Sequence, residues 1–595
     1  MTTFVIDLFG LWAVMAVTAV ALFGWGVLTC RLLGIEQPRQ VDTTTAWLGV
    51  AVVLGAVELV HLFLPIDWKV SLVFAVIGIA AALKASDHSE AHGVGRFFAQ
   101  WCDALQRFAV LLRQQPIASV LLALVVAAWC LRAMGTPNNY DSGLYHFQSV
   151  RWLTEQPIVF GLGNLHWRLA LNQSYFGFLA LLNLAPFWNK GYAAGGLLLL
   201  LLTLATTLEI GFTQSSRWRN VIGAVILVFL GLVAGSIANP SPDNAVALLE
   251  IVIFLFLFCL LGQPRADEAS RVRLATVLVF LCSAVVTTKF SSAGFAAGCL
   301  IVVVWVSVVR SRVLGRVLSF RFMLVMGLMV LVHIVRGYVL SGAPLFPATW
   351  FGAWTLPWAV PPGIAKFETA FIYSWARLPG AEIFAPALRD GTWVLTWFKA
   401  LGPGSLALFA VGTGLALFNV AWLLLNRRAC HDRAVYALYA PTAGGLIFWF
   451  VTAPDVRFLG ATLVLYCALS IYLTASQLQL WRVLGANDLA PVAGKNVRQD
   501  DGKIVWGKRL SIAVFGLACL LSLRYVGLHS ISLEGWKPLP QMSVVTKRTS
   551  SGAEIWVPDE GNQCWDAALP CASLFNEALR AGQYLSHPLF AVKPD

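Results

Sequence analysis

The sequence predicts an all-α polytopic integral membrane protein with about fourteen transmembrane helices, and three observations lead there. Of 595 residues, 58% are hydrophobic and only 12% are charged. An ordinary soluble domain carries about 25% charge, so this chain cannot cover a water-facing surface. Mean hydropathy is +0.74, and apolar runs near the ~20 residues that cross a bilayer recur along the chain. The composition excludes a soluble enzyme, a disordered chain and a disulfide-dense scaffold. The formal charge of +12 would raise nucleic acid as a partner of a soluble protein. Here its placement reports topology, and no nucleic-acid partner is expected.

The predicted spans, in order, are 8–30, 45–64, 69–84, 117–134, 190–211, 220–238, 244–262, 272–288, 292–309, 322–340, 403–425, 434–452, 456–476 and 510–525. The N-terminal "MTTFVIDLFG" has no Lys or Arg before its apolar run and carries Asp7, unlike a secretory n-region. It reads as an uncleaved first span with its N-terminus outside. The run 174–188, "SYFGFLALLNLAPFW", is too short to cross and is broken by Pro186, so it reads as a hairpin or re-entrant element in the outer leaflet. Charge then sets orientation. The segments assigned inside hold 24 Lys+Arg and 11 Asp+Glu, a net of +13; those outside hold 18 and 16, a net of +2. Glu58, Glu209 and Glu250 fall inside spans. This positive-inside bias holds only if 174–188 does not cross.

Three units follow: a three-helix extension and inner loop over 1–116, a transmembrane module over 117–525, and a small extracytoplasmic region over 526–595, long enough for a small α/β or irregular cap. The stretch 477–509, with Gly485, Gly494 and Gly502, reads as a flexible inner loop. Outer loops are expected at 135–189 and 341–402; the second has six Trp in 62 residues, which suits the membrane interface. No internal repeat is visible, which lowers the standing of an inverted-repeat transporter. Of eleven Cys, most sit in apolar runs as small core residues, among them Cys130, Cys282 and Cys519. Cys564 and Cys571 lie in a polar tail and suggest a disulfide in an oxidising compartment. Neither C-x-x-C nor H-E-x-x-H occurs, so no metal ligands are assigned.

Candidate chemistry gathers on the outer side. In "GTPNNYDSGLYHFQSVRWLTEQ", Asp141 heads an amphipathic helix with Leu144, Phe147, Val150 and Leu153 on one side. His146 and Arg151 fall on its other faces as supporting polar residues. Asp141 could be an N-cap that satisfies orphan N–H groups, or an acid–base carboxylate facing the headgroups. Asp243 in "SPDN" and Asp455 in "APDVRF" suit helix starts. Cations keep them company: Lys289, Arg336 and Arg457 also fall at outer span ends. Such a set could bind an anionic headgroup with its cations and orient a polar acceptor with its carboxylates. His333 shares a face with Arg336 at i to i+3; the roles of Glu58, Glu250 and His333 stay open between structural bridge and pathway residue.

The pattern resembles the GT-C class of glycosyltransferases. "NYDSGLYH" (139–146) sits where that class carries its first-loop catalytic Asp. "SPDN", "SGAPLFP" (341–347), "APDVRF" and "QCWDAALPC" resemble a little-characterised bacterial polytopic branch related to it, over roughly 117–595. Many members carry two adjacent acids in the first loop; here Ser142 follows Asp141, which weakens a metal-dependent version, and a divalent cation is the one cofactor still left open. The resemblance implies an enzyme of the bacterial cytoplasmic membrane, and the charge bias and the tail cysteines place both termini outside. Its donor would be a polyprenyl-phosphate-linked sugar and its acceptor an envelope glycan, lipid or protein. Asp141 would be the general base, and Lys289, Arg336 and Arg457 would hold the lipid phosphate that leaves. The alternative is a transporter or flippase for a lipid-linked or anionic substrate, which predicts charged groups along a path through the bilayer.

Overall fold

The computed structural model describes residues 2–38, 40–85, 99, 102–103, 106, 116–213, 219–262, 267–310, 312–380, 382–383, 385–426, 433–478, 501–527 and 531–592. Among these, ten helices are long and apolar enough to cross a membrane. They include α1 (Thr2–Leu33), α2 (Thr43–His61), α4 (Pro116–Ala133), α7 (Gly191–Thr213), α9 (Pro242–Gly262) and α10 (Glu268–Thr288). The others are α11 (Ala293–Trp305, with tighter turns at both ends), α12 (Phe320–Ser341), α15 (Pro403–Leu425) and α16 (Tyr439–Thr452, with the turn before it). Four predicted spans take shorter or less apolar form: α3 (Trp68–Ala85), α8 (Ala224–Gly235), α17 (Thr462–Gln477) and α18 (Asp501–Val526). Part of the expected inner loop 477–509 is therefore helical, since α18 starts at Asp501, and residues 479–500 lie outside the described residues. So does most of 85–116.

Sequence chemistry explains the boundaries. Pro116, Pro242 and Pro403 open their helices, where a missing N–H costs nothing. Asp42 and Asp267 cap α2 and α10 through bonds from Thr45 N (2.7 Å) and Ser270 N (2.8 Å). Helix α9 is buried along nearly its whole length and forms the axis of the bundle. In contrast, α12 and α15 turn Leu324, Leu331, Leu417 and Leu424 outward, as a lipid-facing surface requires. Close backbone approaches rest on glycine: a Cβ at Gly24 would lie 1.7 Å from Gly78 O, and one at Gly294 would lie 2.4 Å from Gly444 O. Small residues at such crossings are the usual device for packing helices in lipid.

The segment 174–188 does not form a span. Helix α6 (Ser174–Asn183) is ten residues, about 15 Å, and is buried throughout. It folds back on α7, with Gly191 N donating to Asn183 Oδ1 at 3.0 Å. Between α4 and α6 lies a π-helical turn (Ser142–His146) running into α5 (Phe147–Glu155). The region 341–402 carries α13 (Pro362–Arg377) and α14 (Trp393–Ala400). The tail forms two antiparallel hairpins, β1 (Val544–Arg548) with β2 (Glu554–Pro558) and β3 (Leu579–Tyr584) with β4 (His587–Val592), joined by irregular chain. It packs on one end of the bundle: Trp536 N donates to Asp7 Oδ2 (3.0 Å), Lys537 N to Met134 O (2.9 Å) and Phe590 N to Phe160 O (2.8 Å). Asp141 lies at this end.

Candidate functional site

The turn that carries Asp141 is clamped from two sides. On one side, Asn239 of the "NPSPDN" turn accepts from Asn138 N (2.8 Å) and Asn139 N (3.0 Å) through Oδ1, and donates through Nδ2 to Asn138 Oδ1 (2.8 Å). On the other side sits the tail loop closed by the disulfide between Cys564 and Cys571, whose Cα atoms are 6.1 Å apart. Trp565 N donates to Gly143 O (2.8 Å), Gln563 Nε2 to Tyr140 O (2.7 Å), and Gln148 Nε2 to Ala567 O (2.9 Å). Gly143 is required there, since a Cβ would lie 2.5 Å from the Trp565 indole. Tyr140 OH also bonds Asn562.

Asp141 makes no capping hydrogen bond with its side chain. Its carboxylate is held by two guanidinium groups: Arg168 Nη1 donates to Oδ1 at 3.0 Å and Arg457 Nη1 to Oδ2 at 3.1 Å. The side chain of Asp141 is 15% exposed and that of Arg457 44%, so the pair borders solvent. Arg168 is shared. Its Nε donates to Glu368 Oε1 at 3.2 Å, and Trp167 Nε1 donates to Glu368 Oε2 at 2.8 Å. Burial raises the Glu368 carboxyl above its ordinary range, with Arg168 and Trp167 opposing the shift. Beside this group, Lys289 pairs with Asp243. Lys289 and Arg457 both lie over the Phe458 ring, 4.3 and 4.9 Å from its centre. Burial works against the charge of Arg457, but Asp243, Asp141 and Asp455 more than offset it and raise its pKa.

The expected site residues divide accordingly. Asp141, Arg457, Asp243 and Lys289 come together. Asp455 is a helix-start residue: its Oδ1 accepts from Arg457 N at 2.9 Å. His146 lies beneath the group between Tyr145 and Phe176, and burial lowers its pKa to about 3, so it is neutral. Arg151 lies apart from Asp141, bonding Glu155 (2.6 Å) and Asp566 O (2.5 Å), and so ties α5 to the tail. Arg336 also lies elsewhere. Its guanidinium is buried, with Nη1 donating to His61 Nδ1 (2.7 Å), Nε donating to Asn172 Oδ1 (3.2 Å) and Glu58 at 3.7 Å. His333 Nδ1 bonds Glu58 at 3.0 Å, so Glu58 and His333 bridge α2 to α12. Glu250 accepts from Ala461 N (2.8 Å) and Thr462 Oγ1 (3.1 Å), so it caps the start of α17.

Sequence reading missed Arg168 and Glu368. Their pairing spans 200 positions, and the available signal was an Arg and a Glu each set among aromatic residues, in "HWRL" and "KFETAF". Among the described residues no group of three or more His, Cys, Asp or Glu converges.

Fold and site define a polytopic α-helical membrane protein with a charged cluster at one end of its bundle. The chain belongs to the family described as a domain of unknown function, DUF8201, which matches residues 9–464 and so takes in the first three spans. No curated protein matches the chain. Among solved structures it is similar to the apo oligosaccharyltransferase of Archaeoglobus fulgidus, with 12% identity and a TM-score of 0.30, over 70% of this chain and 57% of that one. The chain thus spans little more than half the length of that protein, and a likeness of this size carries no functional argument.

Proposed function

We propose that this protein is a membrane glycosyltransferase that moves a sugar from a polyprenyl-phosphate donor to an envelope acceptor at the outer face of the bacterial cytoplasmic membrane. The observation that carries the reading is the Asp141 carboxylate, free of any capping bond and gripped by Arg168 and Arg457 beside the Asp243–Lys289 pair. Guanidinium and ammonium groups that hold carboxylates in this way are suited to hold a phosphate. A donor phosphate that takes Arg457 and Lys289 releases Asp141 Oδ2, while Arg168 keeps Oδ1 and fixes the direction of the carboxylate.

Asp141 then accepts the proton of the acceptor hydroxyl as its oxygen bonds to the anomeric carbon. The bond from that carbon to the phosphate oxygen breaks, and the electron pair leaves on the lipid phosphate, whose charge the two cations stabilise. No proton need be given to that leaving group. The resting place of the buried charges favours this over transport. Glu58, Glu250, His333 and Arg336 all lie in the half of their helices nearest Asp141.

Comparison of envelope glycans and lipid-linked sugars from cells with and without the gene tests the reading. Accumulation of an unused polyprenyl-phosphate sugar with loss of one glycan modification is expected. Identical profiles for both would contradict it.

A further inference from the structure

A second feature of the site end lies on the opposite side of α13 from the catalytic candidates. Glu368 turns inward to Arg168, whereas Lys366, Thr369, Ala370 and Tyr373 recur at i, i+3, i+4 and i+7 and form another face. That face borders a groove of about 530 Å³. Ala370, Tyr373 and Leu388 line it, Trp350 flanks it, and Lys366 and Arg389 bring two cations to it. The far wall is tied to α13 through Thr369 Oγ1, which donates to Pro347 O at 3.1 Å. Among the described residues neither cation has an ion-pair partner.

The surroundings are those of a membrane interface. Trp350 is 66% exposed, and Phe351, Phe367 and Trp375 are also turned outward. Aromatic rings of this kind sit at headgroup level, where Lys and Arg meet phosphates while their stems stay in the apolar layer. An apolar groove that carries two unpartnered cations is complementary to one kind of ligand, an amphipath whose chain fills the groove and whose anionic head meets the charges.

We infer that the groove between the 348–350 segment, α13 and residues 385–389 binds an anionic phospholipid, with its chain along Ala370, Tyr373 and Leu388 and its phosphate at Lys366 and Arg389. This inference goes beyond glycosyl transfer and does not depend on it, because the lipid is separate from the donor held at Arg457 and Lys289.

Delipidated full-length protein in detergent, titrated with dioleoyl phosphatidylglycerol and followed by native mass spectrometry, tests the site. One tightly retained lipid per chain is expected. Retention should fall at least tenfold in the Lys366→Gln/Arg389→Gln variant, whose changes lie on the surface and leave Asp141 and its partners intact. Ala370→Trp, which fills the groove, should lose the lipid with both cations present. Phosphatidylcholine should bind at least tenfold more weakly, and equimolar inorganic phosphate should not compete. Equal retention of phosphatidylglycerol by wild type and the charge variant would overturn the inference. Retention of phosphatidylcholine equal to phosphatidylglycerol would do so as well, as would displacement by inorganic phosphate.

Discussion

Two ionic clusters occupy the same end of the helix bundle and use similar side chains in opposite ways. In one, Glu58, His333, Arg336, His61 and Asn172 satisfy one another in the interior, with the Glu58 and Arg336 side chains 3% and 7% exposed. In the other, Asp141, Arg168, Arg457, Asp243 and Lys289 border solvent and are paired with partners that a ligand could displace. Charge in a membrane protein is therefore not a functional sign by itself. What separates a bridge from a site is whether the charged groups can exchange partners without leaving a buried charge unpaired.

Breaking the interior cluster should give the largest loss of stability. Glu58→Ala leaves Arg336 buried without its carboxylate, which costs about 3–5 kcal/mol in comparable pairs. Thermal unfolding in detergent should show this as a large drop in midpoint, while the protein that remains folded keeps its transfer rate. A catalytic loss with unchanged stability would reverse the assignment of the two clusters. In the solvent-bordering cluster, Arg457→Ala should leave the fold intact. It should weaken donor binding and slow transfer, roughly 10-fold or more in kcat/KM, because the phosphate is present in both ground and transition states.

The spans and several members of the outer site could be read from the chain in advance, whereas the contrast between the two clusters has a physical reason for being hidden. Apolar runs fix the spans because each must satisfy its backbone within a helix. Asp141 is legible as the acid that heads an amphipathic outer helix, and Asp243, Lys289 and Arg457 as charges at outer span ends. The capping role for Asp455 was legible from its position alone, since an N-cap acts within a few residues. Arg168 was not, because its partners Asp141 and Glu368 are 27 and 200 positions away. Arg336 could not be separated from the site cations either, because burial and the contact with His61 depend on how α2 and α12 meet.

A smaller effect concerns the clamp on the Asp141 turn. Cys564→Ser with Cys571→Ser opens a short loop, a change worth about 2–3 kcal/mol in the chain-entropy model. It should loosen the contact of Trp565 with Gly143 more than the membrane core. Proteolysis of the tail at a temperature where the spans remain helical by circular dichroism checks this.

The smallest effect is in pH. His146 and His166 are buried, and both imidazoles are lowered to about 3 from an ordinary 6.5 by that burial. The unfolded chain takes up these protons near pH 6.5, so the folded state binds fewer protons below that value. Stability from these residues is complete above pH 6.5 and declines as pH falls toward 3. A His146→Gln/His166→Gln variant should show a flatter dependence of its unfolding midpoint between pH 7 and pH 5, roughly the upper part of that window.

The most direct measurement is sugar transfer by purified protein in proteoliposomes supplied with a polyprenyl-phosphate sugar, comparing wild type with Asp141→Asn. The substitution keeps the shape of the side chain and removes the proton acceptor. The account predicts a fall in turnover of about 10²–10⁴-fold, with donor binding and unfolding midpoint nearly unchanged. Wild-type turnover by well-folded Asp141→Asn protein would contradict it.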